Sequence, residues 1–151
     1  MKIAFQDYRD KIYNLLNDSE ELKGKIQQLL LQTEIKGGNF PIVILGFPHK
    51  GTEKAVEIGY HPSITLVFPI MIYCITKDSS GKERTLKSTS EEAYDICSTL
   101  EEIARNNKKF TIGSNEVLCL PGESAPVIEK SENITYFRIE TSFVLTFRMV
   151  A

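Results

Sequence analysis

The sequence predicts an α+β fold: a mostly antiparallel β-sheet with helices packed on one face, in a single domain. Three observations carry this. Residues 63–77 are the most apolar run of the chain, rich in β-branched and aromatic residues and bounded by turn signals, which is the pattern of a strand. Residues 136–150 alternate with period 2, setting Phe137, Ile139, Phe143, Leu145, Phe147 and Met149 against Arg138, Glu140, Ser142, Thr146 and Arg148. Between them lies one amphipathic helix, and helices do not alternate with strands, so a doubly wound parallel sheet fits poorly. The length of 151 residues, with 42% hydrophobic and 25% charged, suits one globular domain with its own core.

Phe5, Tyr8, Ile12, Leu15 and Leu16 recur at helical spacing. Asp18 can cap a second helical stretch, with Glu21 three residues on, and Leu22, Ile26, Leu29 and Leu30 continue an apolar face until Gly37-Gly38 ends it. Residues 1–36 are thus expected to be a helical segment, with the sheet and its main helix in residues 37–151. Residues 40–45 form a short buried strand. Residues 46–60 read as a long loop, with residues 55–58 as a weak strand.

The central strand, 63–77, places Ile64, Leu66, Phe68, Ile70, Ile72 and Cys74 on one face. Thr65, Val67, Met71, Tyr73 and Ile75 stand on the other. Both faces are mainly apolar and require cover. Pro69 cannot donate to a ladder, so a bulge or an edge position is expected there. Residues 88–106 form the clearest helix, with capping-box spacings at Ser88/Glu91 and Thr89/Glu92 and an apolar stripe of Ala93, Ile96, Cys97, Leu100, Ile103 and Ala104. Short strands at 110–112 and 117–120 flank Gly113-Ser114-Asn115. Pro121-Gly122 breaks the chain, and Pro126 limits regular structure in the residues after it.

The net charge of −2 gives no basic field for nucleic acid. No apolar run reaches the roughly 18 residues of a membrane helix, and residues 1–7 lack the apolar core of a signal peptide. Cys74, Cys97 and Cys119 have no metal-like spacing and read as reduced thiols of a cytoplasmic product, which leaves the sequon at Asn133 silent. Gly46 and Gly51 have phosphate-loop spacing, but Thr52 and Glu53 stand where the motif needs a lysine and a hydroxyl residue. His49 and His61 are isolated, and Glu91, Glu92, Glu101 and Glu102 read as solvated helix carboxylates. Lys77, Lys82, Arg84 and Lys87 form a modest basic turn without interleaved aromatics. No catalytic, cofactor or metal residue is singled out, and no cofactor is expected. The outer face of the central strand, Val67, Met71, Tyr73 and Ile75, is too apolar to leave wet and is the candidate subunit interface. His49, Lys50, Glu53 and Lys54 are candidates for a partner-contact loop.

This order of elements resembles the tail-terminator, or tail-completion, proteins of tailed bacteriophages and prophages. The likeness covers nearly the whole chain: an N-terminal helical segment, Phe40-Pro41-Ile42-Val43-Ile44, a variable loop, the long strand, a capped helix, short strands and a closing strand. It implies a virion structural protein rather than an enzyme. Such proteins form a ring, commonly a hexamer, at the head-proximal end of the tail tube, stop its growth and offer a surface to the head connector. The expected partners are then further copies of the chain, the tail tube protein and the connector protein, with no membrane and no direct nucleic-acid recognition. Two strands near 15 residues long support assembly through the sheet as a cyclic, head-to-tail oligomer. The second expectation is a small cytoplasmic binding or enzymatic domain with its site in residues 46–60.

Overall fold

The computed structural model describes residues 3–31, 39–51, 54–55, 62–77, 82–131 and 134–148. They form an α+β domain built on two long antiparallel strands, β5 (Pro62–Ile75) and β9 (Ile134–Arg148). Both flanks of this pair are made from shorter pieces. Along β5 lie β2 (Ile42–Leu45), β3 (His49–Lys50) and β4 (Lys54–Ala55), with β1 (Gln28–Leu30) parallel to β2 at the edge. Along β9 lie β7 (Asn115–Pro121) and β8 (Ala125–Ser131), with β6 (Lys109–Ile112) paired to β7 as a hairpin. Gly113 sits in the tip of that hairpin at φ +60°, where glycine carries no side-chain penalty.

Among the described residues, three helices cover one face: α1 (Phe5–Asn17), α2 (Glu20–Lys23) and α3 (Leu86–Asn106). Beneath them lie Ile64, Leu66, Phe68, Ile70, Ile72 and Cys74 of β5, the face that the alternation assigned, together with Phe137, Ile139, Phe143, Leu145 and Phe147 of β9. The stripe of α3 supplies Ala93, Ile96, Cys97, Leu100 and Ile103 to the same core. Tyr8 of α1 stacks on Phe147 with ring centroids 4.7 Å apart, and Asn115 Nδ2 donates to its hydroxyl at 3.0 Å. Lys25 joins α2 to α3, reaching Thr99 Oγ1 at 2.8 Å and Asp95 Oδ2 at 3.1 Å.

Several expectations are corrected. The N-terminal segment is not helical throughout. Gly24 caps α2, Gln27 N–H donates to the Pro41 carbonyl at 2.9 Å, and residues 28–30 become a strand. Pairing with β2 overrides the helix preference of Gln and Leu, sending Leu29 to the main core and Leu30 to the opposite face. The cap of α2 is Ser19, one residue after Asp18, and α3 begins at Leu86 with Thr85 as its cap. Part of the expected loop is sheet, as β3 and β4; residues 56–60, most of the expected weak strand, lie outside the described residues. A strand at 125–131 follows Pro121-Gly122 despite Pro126.

Pro69 causes no bulge in its own strand and is not at an edge. Thirteen pairs run from Ser63↔Arg148 to Ile75↔Tyr136 without a break, Pro69 lying opposite Ser142. The Pro69 carbonyl accepts from Gly46 N–H at 2.8 Å. A strand residue projects its carbonyl and its N–H to the same side, so the missing donor faces the β2 flank and leaves the β9 ladder intact. The bulges are in the flanks. Leu45 pairs with Ile70 and His49 with Val67, so one extra residue sits between β2 and β3. Pro121 pairs with Phe143 and Ala125 with Glu140, so another sits between β7 and β8. There Ser124 turns inward and donates to Thr141 Oγ1 at 3.0 Å.

Candidate interaction surface

The register defines rows of side chains across the sheet face that the helices do not cover. One row is Leu120, Val144, Val67 and His49. The next is Gly122, Ser142, Pro69 and Gly46, joined by N–H···O bonds of 2.8 Å at each end. Beyond it come Ala125, Glu140, Met71, Ile44 and Leu30, then Val127, Arg138, Tyr73, Ile42 and Gln28. The middle row can hold only short residues at its ends. A Cβ on Gly122 would lie 2.0 Å from Ser142 Oγ, and one on Gly46 would lie 2.9 Å from Pro69 Cγ.

That row divides the face. On one side Ile42, Ile44 and Tyr73 form a small second core, with Leu30, Phe40, Met71 and Tyr136 packed against it. Arg138 borders it, lying 5.8 Å over the Tyr73 ring and 3.0 Å from Glu140, and also pairing with Glu129. On the other side, among the described residues, the face is open. Leu118 is 45% exposed and Leu120 58%, and Val144 and Val67 beside them are half-buried. Next to Leu118 and Thr146 a cleft of about 540 Å³ is rimmed by Ser63, Lys109, Ser114, Glu116 and Arg148. Lys109 Nζ stands 3.2 Å from Glu116 Oε1.

Alternation put Val67, Met71, Tyr73 and Ile75 on one face of β5, and there they are. They do not share one environment. Tyr73, 8% exposed, is covered by the chain's own second core and is not available to a partner. Met71 packs on that core, while Val67 belongs to the open half and Ile75 lies half-buried at the far end of the strand. His49 and Lys50 are exposed on β3. The backbone of Lys54 is in β4, and Glu53 lies outside the described residues. Leu118 and Leu120 were not singled out from the sequence. Val117-Leu118-Cys119-Leu120 is apolar at every position, so period 2 could not say which pair faces outward.

The thiols are poor nucleophiles. Burial pushes Cys119 up to about 12 and raises Cys97; it also raises Cys74, with Glu92 adding to the effect there. Among the described residues, no three His, Cys, Asp or Glu side chains gather as metal ligands would. What the geometry offers is a platform with apolar centre and polar margin, the composition of a protein contact. No protein-family model matches the chain, and no curated protein is similar to it in sequence.

Proposed function

We propose that this chain is a structural subunit of a bacteriophage or prophage tail, set as a ring at the head-proximal end of the tail tube, where it ends tube growth and meets the head connector. The observation that carries the reading is the open half of the outer sheet face. Leu118 and Leu120 project there from a rigid sheet with Val144 and Val67 beside them, and solvent reaches both leucines. An exposed apolar surface carried on a sheet suits a subunit that stacks on a tube or connector. The order of elements, which resembles that of tail-terminator proteins, supplies the particular assembly. The protein has no chemistry to perform in this role; it acts by shape and contact.

The test is electron microscopy of tails assembled with and without the protein, together with mass spectrometry of purified particles. The expected result is a ring at the head-proximal end when the protein is present, and tails of uncontrolled length or tails unjoined from heads when it is missing. Normal particles without it, or its absence from tails, would sink the reading in favour of a binding domain centred on residues 46–60.

A further inference from the structure

We propose that the cleft beside the β6–β7 hairpin binds a peptide segment that carries a carboxylate next to an apolar residue, the carboxylate meeting Arg148 and the apolar side chain meeting Leu118. This names the chemistry of the segment that the open half of the sheet receives. Its setting in a tail rests on the ring reading; the binding itself does not.

The register builds the site. Thr146 pairs with Leu118 and Leu118 with Lys109, so these three form one row across the outer face. Arg148 and Ser63 pair one row nearer the end of the sheet. Glu116, two residues before Leu118 on β7, faces the same way. Ser114, at the hairpin tip, completes the rim of the cleft of about 540 Å³, a volume within the range of ligand sites. A second hollow of about 380 Å³, lined by Phe110 and Thr111, shares Lys109, Ser114 and Glu116 with the first. The groove thus continues around β6, which suits a chain better than a compact molecule.

Charge selects the sign of the ligand. Two cations, Lys109 and Arg148, and one carboxylate, Glu116, line the first cleft. Lys109 Nζ lies 3.2 Å from Glu116 Oε1, so these two offset each other. Among the described residues, no carboxylate pairs with Arg148. One positive charge is therefore left beside an apolar floor, in a chain of net charge −2. A guanidinium can take a carboxylate by two parallel hydrogen bonds.

The walls select what the anion is attached to. The hydroxyls of Ser63, Ser114 and Thr146 make no side-chain hydrogen bond to another described residue. Peptide N–H and C=O groups can use such hydroxyls, whereas a hydrocarbon chain would cover them without bonding. Leu118, 45% exposed, supplies the apolar floor. Arg148 and Thr146 are two residues apart on one face of β9, so the cation and the floor lie roughly 7 Å apart. One amino-acid residue spans about that distance from its side chain to its carboxylate.

The experiment is an NMR titration of the full chain, read at the backbone amides of Leu118, Thr146 and Arg148. Two acidic probes are used: acetyl-Gly-Val-Leu with a free terminal carboxylate, and acetyl-Gly-Asp-Leu-amide with its carboxylate on a side chain. At least one should shift these amides saturably in the millimolar range, and the tighter of the two shows whether the site takes a chain end or an internal stretch. The neutral acetyl-Gly-Val-Leu-amide should bind at least about fivefold more weakly. Arg148→Gln and Leu118→Ser, both at exposed positions, should weaken the acidic probe by a similar factor. Lys130→Gln on β8, toward the opposite end of β9, removes the same charge and should leave binding unchanged. No saturable shift with either acidic probe at about 20 mM would overturn the assignment. So would equally tight binding of the neutral amide, of octanoate or of acetate, which would make the cleft a site for apolar groups, fatty acids or bare anions. Tails that carry the ring although neither peptide binds would leave the ring reading standing and remove this site. Peptide binding by a protein that tails do not contain would do the reverse.

Discussion

Arg84 and Glu92 meet fork to fork, Nη1 3.0 Å from Oε2 and Nη2 2.6 Å from Oε1. The same guanidinium donates through Nε and Nη2 to the Ile75 carbonyl, at 3.1 and 2.9 Å. One side chain thus ties the last residue of β5 to α3. Arg84→Ala should lower stability by about 1–3 kcal/mol, the range for losing charge-assisted bonds to partly buried partners. Arg84→Lys should recover only part of it, because an ammonium cannot make the fork. Urea midpoints of the three proteins check this, and equal midpoints would reduce the contact to a surface pair.

The core and the platform should respond differently to a charge. Leu100 of α3 is 1% exposed, and Leu100→Asp should cost several kcal/mol and prevent folding. Leu120→Asp, at a position 58% exposed, should keep stability within about 0.5 kcal/mol. On the proposed function it should nonetheless reduce incorporation into tails. Thermal unfolding and quantitative blotting of particles separate the two effects.

Gly122 and Ser142 should be coupled. Gly122→Ala forces a methyl group to within 2.0 Å of Ser142 Oγ and should cost about 1–3 kcal/mol. In a Ser142→Ala background the same change should cost less than half as much. A double-mutant cycle from urea unfolding reads the difference directly. Additive effects would mean that Ser142 simply turns away.

Alkaline pH should weaken the fold through its thiols. Cys119 is raised from an ordinary 9.0 to about 12, so between those values the folded state keeps a proton that the unfolded state releases. Its contribution is complete below pH 9 and declines as pH rises toward 12. The urea midpoint should therefore fall between pH 8 and pH 10.5, and the fall should be smaller in Cys119→Val. Thiol reagents should label all three cysteines quickly only after denaturation.

The residues most legible in the sequence were those whose pattern had one meaning. Phe137 to Phe147 alternate, and they are buried as that alternation requires; Ile96 and Leu100 repeat at helical spacing, and α3 packs through them. The inner face of β5 was equally plain. Leu29 and Leu30 misled because leucine suits a helix as well as a strand, and the deciding partner, β2, lies a dozen residues away. Tyr73 was assigned to a contact because its cover comes from Ile42 and Ile44, whose neighbour relation only the register reveals. Ile128 was passed over because Pro126 argues against a strand, yet an edge strand tolerates one.

The paired bulges between β2 and β3 and between β7 and β8 also bear on how this chain can change over evolution. A residue inserted into β5 or β9 would invert a whole face of the thirteen-pair ladder. The same insertion near Phe47 or Glu123 would fall where the ladder has already absorbed an extra residue. Length variation among descendants of this sequence should therefore collect at these two points. The flanks can drift, lengthen and acquire new contacts while the central pair is inherited unchanged.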